Sequence, residues 1–453
     1  MDNNTGPRRR GTRRRGTTST RWLGVLVVAG LAAAASSSVS ASGGDDESAA
    51  AEPVELLFWD SFEDTGGGEV IDTLIEQFEA ANPGVTINRQ LQDFDAMRTI
   101  LRTSLAAGEG PDVFFWGPGA GFMGPLIEAE LLLPLDDYAD EFGWRDRIFS
   151  WTFDSVTFDD TLYGLGNELE YIGVYYNTAI FEELGLEEPE TFDELVDIAE
   201  TVKAEGITPF AFTNQPGWPA FHLFSTFANN LAGADKVEDA IFGDTPWTDP
   251  AFVEAIQIPF VEWADAGYYI SEPNSLDYEQ GNNLFYTGEA AMQHTGTWLV
   301  QSVIEESQGF EPGFFTVPAP NPEDTLPAGG MGSAAMVSSA TEHPDEAAAF
   351  IDLLYSDEAA ELWLEVANRI PPVEIDTADL DLPDLFAQVV DTVQGASTGD
   401  GLGLGFNIDV LTSAEFNTAM LDGFQAVLVG QRTAEEQAQV LQEAKEAAAE
   451  ASD

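Results

Sequence analysis

Beyond residue 53, the chain alternates short apolar runs with segments that are apolar on one face only. Residues 54–59 (VELLFW) form a continuous apolar run typical of a buried strand, whereas 69–82 repeats its apolar positions at helical spacing. The first predicted elements are strands at 54–59, 85–91 and 111–116 and helices at 69–82 and 96–107. This order predicts an α/β fold built on a parallel sheet with helices on both faces.

The later part of the chain repeats this pattern less regularly. The further predictions are a strand at 171–176, a helix at 191–205 that opens with a Thr191–Glu194 capping box, a loop at 213–222, a short strand leading into a loop at 288–298, a Pro- and Gly-rich crossing at 318–332, helices at 344–356, 357–367 and 415–430, and a final helix rich in Ala, Glu and Gln. Parallel sheets bind ligands at the carboxyl ends of their strands, where this sequence has Trp59, Asp60 and Trp116.

The N-terminal segment has the pattern of an export signal. Seven arginines fall in residues 1–21, an apolar run follows at 22–35, and small residues lead to Ala41. The apolar run is shorter than the roughly 20 residues that span a bilayer. We therefore predict a signal peptide at 1–41, a flexible tether at 42–53, and an exported protein, extracellular or periplasmic. The cleavage region resembles a lipoprotein box, but Ser42 stands where that box requires cysteine, so the anchor and the export route stay open.

The charge balance narrows the possible partners. The chain has 17 basic and 80 acidic residues and a net charge of −63; residues 1–41 carry +6, so the rest carries −69. Such a surface repels nucleic acids and anionic lipids, and it disfavours an anionic substrate unless the pocket is locally cationic. Because salt screens this self-repulsion, we interpret the charge as adaptation to a saline environment.

Several kinds of chemistry are disfavoured by residue type and spacing. The absence of cysteine removes disulfides, thiol catalysis and thiolate metal sites, and the three histidines are isolated along the chain. The acidic segment 376–384 lacks the spacing of a calcium-binding EF-hand, and a solvated loop is the favoured interpretation. We predict no cofactor, no metal and no catalytic residue.

Two motifs leave alternatives open. Residues 119–124 (GAGFMG) match the dinucleotide fingerprint, but Pro118 and Pro125 interrupt the helix that this fingerprint needs, so a glycine turn is favoured. The carboxylates of Glu168 and Glu170 lie on one face of an extended segment, which keeps a secreted glycoside hydrolase as the main alternative. A structural or adhesive surface protein is the third interpretation.

Four tryptophans give a more specific signal. Trp59, Trp116, Trp218 and Trp298 each lie at a strand end or in a loop rich in glycine and proline. Flat rings cover the apolar C–H face of a sugar, while carboxylates and amides bind its hydroxyls. For each tryptophan alone, packing in the core is an equally good explanation. Together, with acids beside them, they favour a neutral sugar as ligand.

An ordered set of short motifs resembles the family 1 extracellular solute-binding proteins, which are the sugar-binding components of ATP-driven importers related to maltose-binding protein. The motifs are 57–59 (LFW), 78–84 (FEAANPG), 110–116 (GPDVFFW), 132–136 (LLPLD), 173–177 (GVYYN), 181–185 (FEELG), 191–195 (TFDEL), 206–209 (GITP), 217–219 (GWP), 285–292 (FYTGEAAM), 343–347 (HPDEA), 356–359 (SDEA) and 369–372 (RIPP). Each motif is weak, but the ordered set covers nearly the whole chain beyond the leader.

The resemblance implies a two-lobed periplasmic-binding-protein-like fold with a hinge and a ligand cleft between the lobes. It places the first lobe at 54–166 and 327–368 and the second at 167–326 and 369–453. It further implies a monomer that binds a mono- or oligosaccharide and delivers it to the membrane permease of an ABC importer. The implied ligand-binding residues are Trp59, Asp60 and Trp116 on the first lobe, Glu170, Trp218, His222 and Trp298 on the second, and Gly332, Arg369 and Asp409.

Overall fold

The computed structural model describes residues 53–62, 65–373, 380, 382–398 and 401–452. The predicted signal peptide lies outside these residues, and so does the predicted tether apart from Pro53. Of the acidic segment 376–384, the aspartates Asp376, Asp379 and Asp381 also lie outside the described part.

The first five elements confirm the predicted strand–helix alternation. They are β1 (Val54–Asp60), α1 (Thr65–Ala81), β2 (Val85–Leu91), α2 (Phe94–Ala107) and β3 (Val113–Trp116). Helix α1 begins at Thr65, earlier than predicted. The prediction missed its first turn because that turn contains three glycines, which disfavour a helix. A Cβ on Gly66 would lie 2.4 Å from the Val366 carbonyl oxygen, so this turn packs directly on backbone.

The remaining elements alternate less regularly. The strands are β4 (Thr157–Phe158), β5 (Thr161–Leu162), β6 (Leu165–Gly166), β7 (Leu169–Asn177), β8 (Thr208–Phe210), β9 (Ala290–Gly296), β10 (Pro312–Phe315), β11 (Ala328–Met331), β12 (Ala334–Val337), β13 (Ser397–Thr398), β14 (Gly401–Leu402) and β15 (Gly405–Phe406). The helices are α3 (Gly124–Ile127), α4 (Asp136–Phe142), α5 (Trp144–Arg147), α6 (Thr178–Leu184), α7 (Phe192–Ala204), α8 (Pro219–Ala232), α9 (Ala234–Phe242), α10 (Pro250–Gln257), α11 (Trp263–Ala266), α12 (Tyr278–Tyr286), α13 (Val300–Glu306), α14 (Pro344–Leu354), α15 (Asp357–Glu365), α16 (Asp384–Ala396), α17 (Ile408–Leu411), α18 (Ala414–Leu428) and α19 (Ala434–Ser452).

Two sheets organise these strands. The first sheet has the order β2-β1-β3-β12-β6, with β1 parallel to β2 and β3 and with β12 antiparallel to its neighbours. The second sheet has the order β15-β11-β7-β9-β8, and β10 also pairs with β7. The chain passes from the first sheet to the second between β6 and β7. It returns between β11 and β12, a few residues after the predicted boundary at 327.

The buried apolar side chains form separate clusters beside the two sheets. The first core contains residues between 56 and 165 and between 334 and 373. The second core draws on residues from 174 to 441, and a smaller third cluster on residues from 169 to 404. We propose that the first sheet and first core form one lobe and that the second sheet and the other two clusters form the second. The predicted lobe boundaries stay a prediction.

The structure tests the predicted capping box at 191–194 and the predicted glycine turn at 119–124. Thr191 and Glu194 form the predicted capping box at the start of α7. In the segment that matches the dinucleotide fingerprint, Gly119 has φ of 80° and the only helix is the four-residue α3, so no long helix starts at the glycines. Among the helices that the structure describes, none is long and apolar enough to cross a bilayer.

Candidate functional site

Four rings beside the second core and the third cluster form one group, which we call the aromatic cluster: Trp218, His222, Tyr278 and Trp298. The ring centroids of Trp218 and Tyr278 lie 4.5 Å apart, and those of His222 and Trp298 lie 4.9 Å apart. Trp218 and Trp298 are 6.4 Å apart. All four side chains are half-buried, so each ring still presents part of its surface to solvent.

Local backbone geometry explains how two of these rings reach the cluster. Trp218 directly precedes Pro219, whose fixed φ suits the first position of α8, and His222 follows one helical turn later on the same face. The predicted loop at 213–222 is therefore wrong from residue 219 onward, where the chain is helical. Pro219 is a helix-start signal, but the prediction gave more weight to the loop-forming residues around it.

A glycine positions the indole of Trp298. β9 ends at Gly296, and Trp298 lies in the short 3₁₀ turn that follows, as the predicted strand-to-loop segment required. A Cβ on Gly296 would lie 1.7 Å from Cζ3 of Trp298, so the indole lies directly against the glycine Cα. Any other residue at 296 would push this ring away.

Hydrogen bonds fix the orientation of the same indole. Trp298 Nε1 donates to the Tyr278 hydroxyl at 3.0 Å, and that hydroxyl lies 2.7 Å from Thr295 Oγ1. Tyr278 was not predicted from the sequence. The signal was the capping box between Asp277 and Gln280, which starts α12 with Tyr278 as its first residue.

His222 contributes a neutral ring to the cluster. Burial lowers the pKa of His222 to about 3, and the nearby His294 acts in the same direction. At neutral pH the imidazole therefore has one N–H donor and one acceptor nitrogen, which suits hydroxyl groups. His294 lies behind it, with Nε2 3.1 Å from Thr226 Oγ1.

The second group of predicted residues lies where the chain crosses between the sheets. Arg369 donates from Nη1 to Glu168 Oε2, and its guanidinium lies 4.8 Å from the centre of the Phe62 ring. Burial raises the pKa of Glu170, and the neighbouring Glu168 raises it further. A Cβ on Gly332 would lie 2.0 Å from Cδ of Glu170, so the carboxyl group rests on the glycine backbone.

These two groups are adjacent. Trp298 and Thr297 line the same narrow crevice as Glu168 and Arg369. The structure thus brings together six of the ten predicted residues: Glu170, Trp218, His222, Trp298, Gly332 and Arg369. Glu168, considered earlier only as half of a carboxylate pair, joins them as the partner of Arg369.

Asp409 lies apart from the aromatic cluster and faces α2. It is buried, and burial raises its pKa to about 6, an effect that the positive charge of Arg98 opposes. Burial raises the pKa of Asp95 as well, whereas Arg98 and the indole of Trp218 lower it. Asp95 and Arg98 on α2 are therefore candidate cleft residues that the sequence analysis did not identify.

The three predicted residues of the first lobe are more deeply packed. Trp59 and Trp116 are 6% and 7% exposed and belong to the first core. The Trp116 ring lies 5.2 Å from Phe94 and 5.7 Å from Phe122, and its Nε1 donates to the Phe122 carbonyl at 3.4 Å. Trp116 also borders a cavity described below, so it keeps an accessible edge.

Asp60 occupies a structural ion pair. Its side chain is fully buried and accepts two hydrogen bonds from Arg89, from Nε at 2.7 Å and from Nη2 at 2.8 Å. The Phe62 amide donates a third at 3.0 Å. This geometry argues against the prediction that Asp60 binds ligand, because β1 extends one residue further than predicted and holds the carboxylate inside the lobe.

The comparisons with known proteins agree with this architecture. The family model described as bacterial extracellular solute-binding protein matches residues 63–361. The chain is 24% identical over 307 residues to the multiple sugar-binding protein of Streptococcus mutans, which covers 65% of this chain and 69% of that protein. It is 26% identical over 326 residues to an uncharacterised extracellular-binding protein of an ABC transporter from Pyrococcus horikoshii, which covers 70% and 71%.

A solved structure extends the agreement to the fold. A chitin oligosaccharide binding protein superposes with a TM-score of 0.78 and 26% identity, covering 87% of this chain and 98% of that one. The α/β, two-lobed periplasmic-binding-protein-like fold is confirmed, and so is the resemblance found in the sequence motifs. The chain belongs to the family of bacterial extracellular solute-binding proteins.

Proposed function

We propose that this protein is an extracellular carbohydrate receptor that delivers a sugar to an ABC-type importer. The observation that carries the proposal is the aromatic cluster, in which half-buried rings pack against one another and a hydrogen bond orients the Trp298 indole. Rings held in this way lose little side-chain entropy on binding, which suits a platform for the apolar face of a sugar. Family membership and the sugar-binding relatives support the same function.

The polar groups around the cluster suit the hydroxyl rim of the ligand. Neutral His222 can donate one hydrogen bond and accept another, and the Glu170 carboxyl can accept hydrogen bonds from hydroxyl groups. Arg369 is held by Glu168 beside Trp298. We propose that a neutral sugar residue stacks on Trp218 and Trp298 while these three side chains bind its hydroxyls.

The ligand would stabilise a closed arrangement of the two lobes. Gly121 N donates to the Val410 carbonyl at 3.5 Å, and the indole of Trp218 lowers the pKa of Asp95, so residues assigned to the two lobes already approach each other. A receptor that closes on its ligand presents one shape to the permease when loaded and another when empty. We propose that the protein acts as a monomer, is exported by its N-terminal leader and binds the permease subunits in the closed form.

A thermal-shift screen tests the proposal. The full chain is heated in molar KCl with mono-, di- and trisaccharides, since a ligand of the folded state raises the melting temperature by mass action. We expect at least one sugar to bind with a stoichiometry near one in a calorimetric titration. Chromatography of the sugar after incubation separates the receptor from the alternative glycoside hydrolase, because a receptor returns the sugar intact. A screen without any stabilising sugar would contradict the proposal.

A further inference from the structure

A second cavity borders the candidate site on the side of the first lobe. It has a volume of about 210 Å³ and lies between α2, the segment 121–126 and the start of α18. We call it the arginine pocket and define it by Arg98, Arg102, Trp116, Phe122, Asn417 and Thr418. Since Trp116 lines it, the pocket adjoins the wall that the sequence analysis assigned to the sugar.

The lining of this pocket departs strongly from the composition of the chain. The sequence has 17 basic and 80 acidic residues, of which seven and one fall in residues 1–41, so residues 42–453 hold ten basic and 79 acidic residues. Of the thirteen residues that line the pocket, two are arginines and none is an acid. In a chain this acidic, a lining that holds two arginines and no acid is unusual.

The two arginines also differ from most other arginines in their partners. Among the described residues, Arg98 and Arg102 form no ion pair, whereas Arg89, Arg145, Arg147 and Arg369 each pair with a carboxylate. Nη1 of Arg98 is enclosed without a hydrogen-bond partner in the described part of the chain, and its Cζ lies 5.5 Å from the centre of the Phe122 ring. An enclosed donor without a partner is costly, which points to a partner that comes from outside the chain.

Asp95 and Asp409 are the acids that interact electrostatically with Arg98. Neither carboxylate lines the pocket or accepts a hydrogen bond from Arg98. The N–H groups of this guanidinium therefore remain available to a ligand. Arg98 and Arg102 are four residues apart on α2, which puts them one helical turn apart on the same face. Arg102 is exposed at the mouth and Arg98 is half-buried behind it.

We propose that the arginine pocket binds the carboxylate of an acidic sugar residue, next to the neutral residue that stacks on the aromatic cluster. A planar guanidinium binds a carboxylate through two parallel hydrogen bonds, and the small volume suits a single sugar residue or substituent. Asp95 and Asp409 lie near Arg98, so they repel a singly charged carboxylate less than a dianion. The inference rests on the proposed carbohydrate function and names an acidic oligosaccharide as its ligand class.

Matched sugar pairs test this inference. Calorimetric titrations at one fixed salt concentration compare glucose with glucuronate, galactose with galacturonate, and xylotriose with the same trisaccharide carrying a glucuronic acid branch. We expect an acidic member to bind about 10- to 100-fold more tightly than its neutral counterpart, the scale of a charged hydrogen-bonded pair. Arg98→Gln and Arg102→Gln should each remove most of this preference.

Controls separate the pocket from general charge effects. Arg145→Gln removes an exposed arginine of α5 that pairs with Asp136, and it should change neither affinity. Arg102 is exposed, so its variant tests the pocket even if Arg98→Gln fails to fold. Acetate and inorganic phosphate, titrated alone, measure binding of a free anion.

The possible results distinguish this inference from the proposed function. Equal affinity for both members of every pair, or a preference that persists in both arginine variants, overturns the acidic-sugar inference while the receptor function stands. Binding of phosphate or acetate with no preference for acidic sugars also overturns it. If no sugar of either kind binds, the receptor function fails and the inference fails with it.

Discussion

The residues predicted to bind the ligand form one wall on each lobe, and the two walls place similar residue types in different environments. In the first lobe, Trp59 and Trp116 are nearly buried and Asp60 is locked to Arg89. In the second, Trp218 and Trp298 are half-buried and hydrogen bonds hold one of them in place. A tryptophan or an aspartate at a strand end therefore does not by itself indicate a binding surface. What distinguishes the second wall is that its rings are both partly exposed and held in position.

The largest expected effect is on the free energy of unfolding and tests whether Asp60 has a structural role. Asp60→Ala should lower the free energy of unfolding by about 3–5 kcal/mol, because it leaves Arg89 without its buried partner. Asp72→Ala is the matched control: Asp72 also pairs with Arg89 but is 70% exposed, so its loss should cost at most about 1 kcal/mol. Denaturant titrations measure both. A stable Asp60→Ala variant that no longer binds sugar would return Asp60 to the binding wall.

A second buried carboxylate lacks such a partner, and its titration should show in the stability. Burial raises the pKa of Asp409 to about 6, and its Oδ1 has no hydrogen-bond partner among the described residues. A carboxyl whose pKa is raised in the folded state binds its proton more tightly there. It therefore adds stability at low pH, and this stability is lost as the pH rises from about 4 through about 6.

Asp409→Asn replaces the carboxylate with a neutral group of the same shape. The stability of the variant relative to the unchanged protein should increase between pH 4 and pH 7.5 by about 2–3 kcal/mol, which corresponds to a shift of about two pKa units. Denaturant titrations in molar salt keep the repulsion between the other acids constant. A difference that does not change with pH would mean that Asp409 stays ionised in the fold and that Arg98 compensates its charge.

The fold could be predicted from the sequence much further than the site could. The first sheet follows from apolar runs and helical spacing, which depend only on neighbouring residues. Trp218 and Trp298 were predicted because glycine and proline lie beside them, and His222 was predicted from the family resemblance. The roles of Tyr278 and Arg98 were not predicted, because they depend on contacts with residues 20 positions away for Tyr278 and more than 300 away for Arg98. The ion pair of Asp60 could not be predicted because its partner Arg89 lies on the neighbouring strand, and the assignment of Asp60 to the ligand stays a prediction.

Replacing a tryptophan of the aromatic cluster should weaken sugar binding, whereas replacing a tryptophan of the core should lower stability. Trp218→Ala and Trp298→Ala should weaken sugar binding by about 1–3 kcal/mol, roughly 5- to 150-fold, and leave the fold intact. Trp144 is fully buried in the first core, and Trp144→Ala should instead lower the free energy of unfolding by about 3–5 kcal/mol. Calorimetric titration and thermal melting of all three variants distinguish the roles. Unchanged affinity in both cluster variants would make these rings part of the core and remove the main support for the sugar platform.

The smallest expected effect concerns Tyr278, which we propose acts by positioning Trp298. Tyr278→Phe keeps the ring against Trp218 but removes the hydroxyl that accepts the hydrogen bond from Trp298 Nε1. We expect sugar affinity to weaken by about 0.5–1.5 kcal/mol, or about 2- to 12-fold, because a freer indole loses part of its preorganisation. Tyr269→Phe is the control, since the Tyr269 hydroxyl is buried without a hydrogen-bond partner among the described residues.

A double-mutant cycle separates positioning from direct contact with the sugar. If Tyr278 acts only through Trp298, then Tyr278→Phe should change the affinity little once Trp298 is already alanine, because the ring that it orients is gone. If instead the hydroxyl binds the sugar itself, the same loss should appear with and without the indole. Additive losses would therefore contradict the positioning role and add Tyr278 to the ligand contacts. A loss that disappears in the double variant would show that the second wall differs from the first through rigidity as well as exposure.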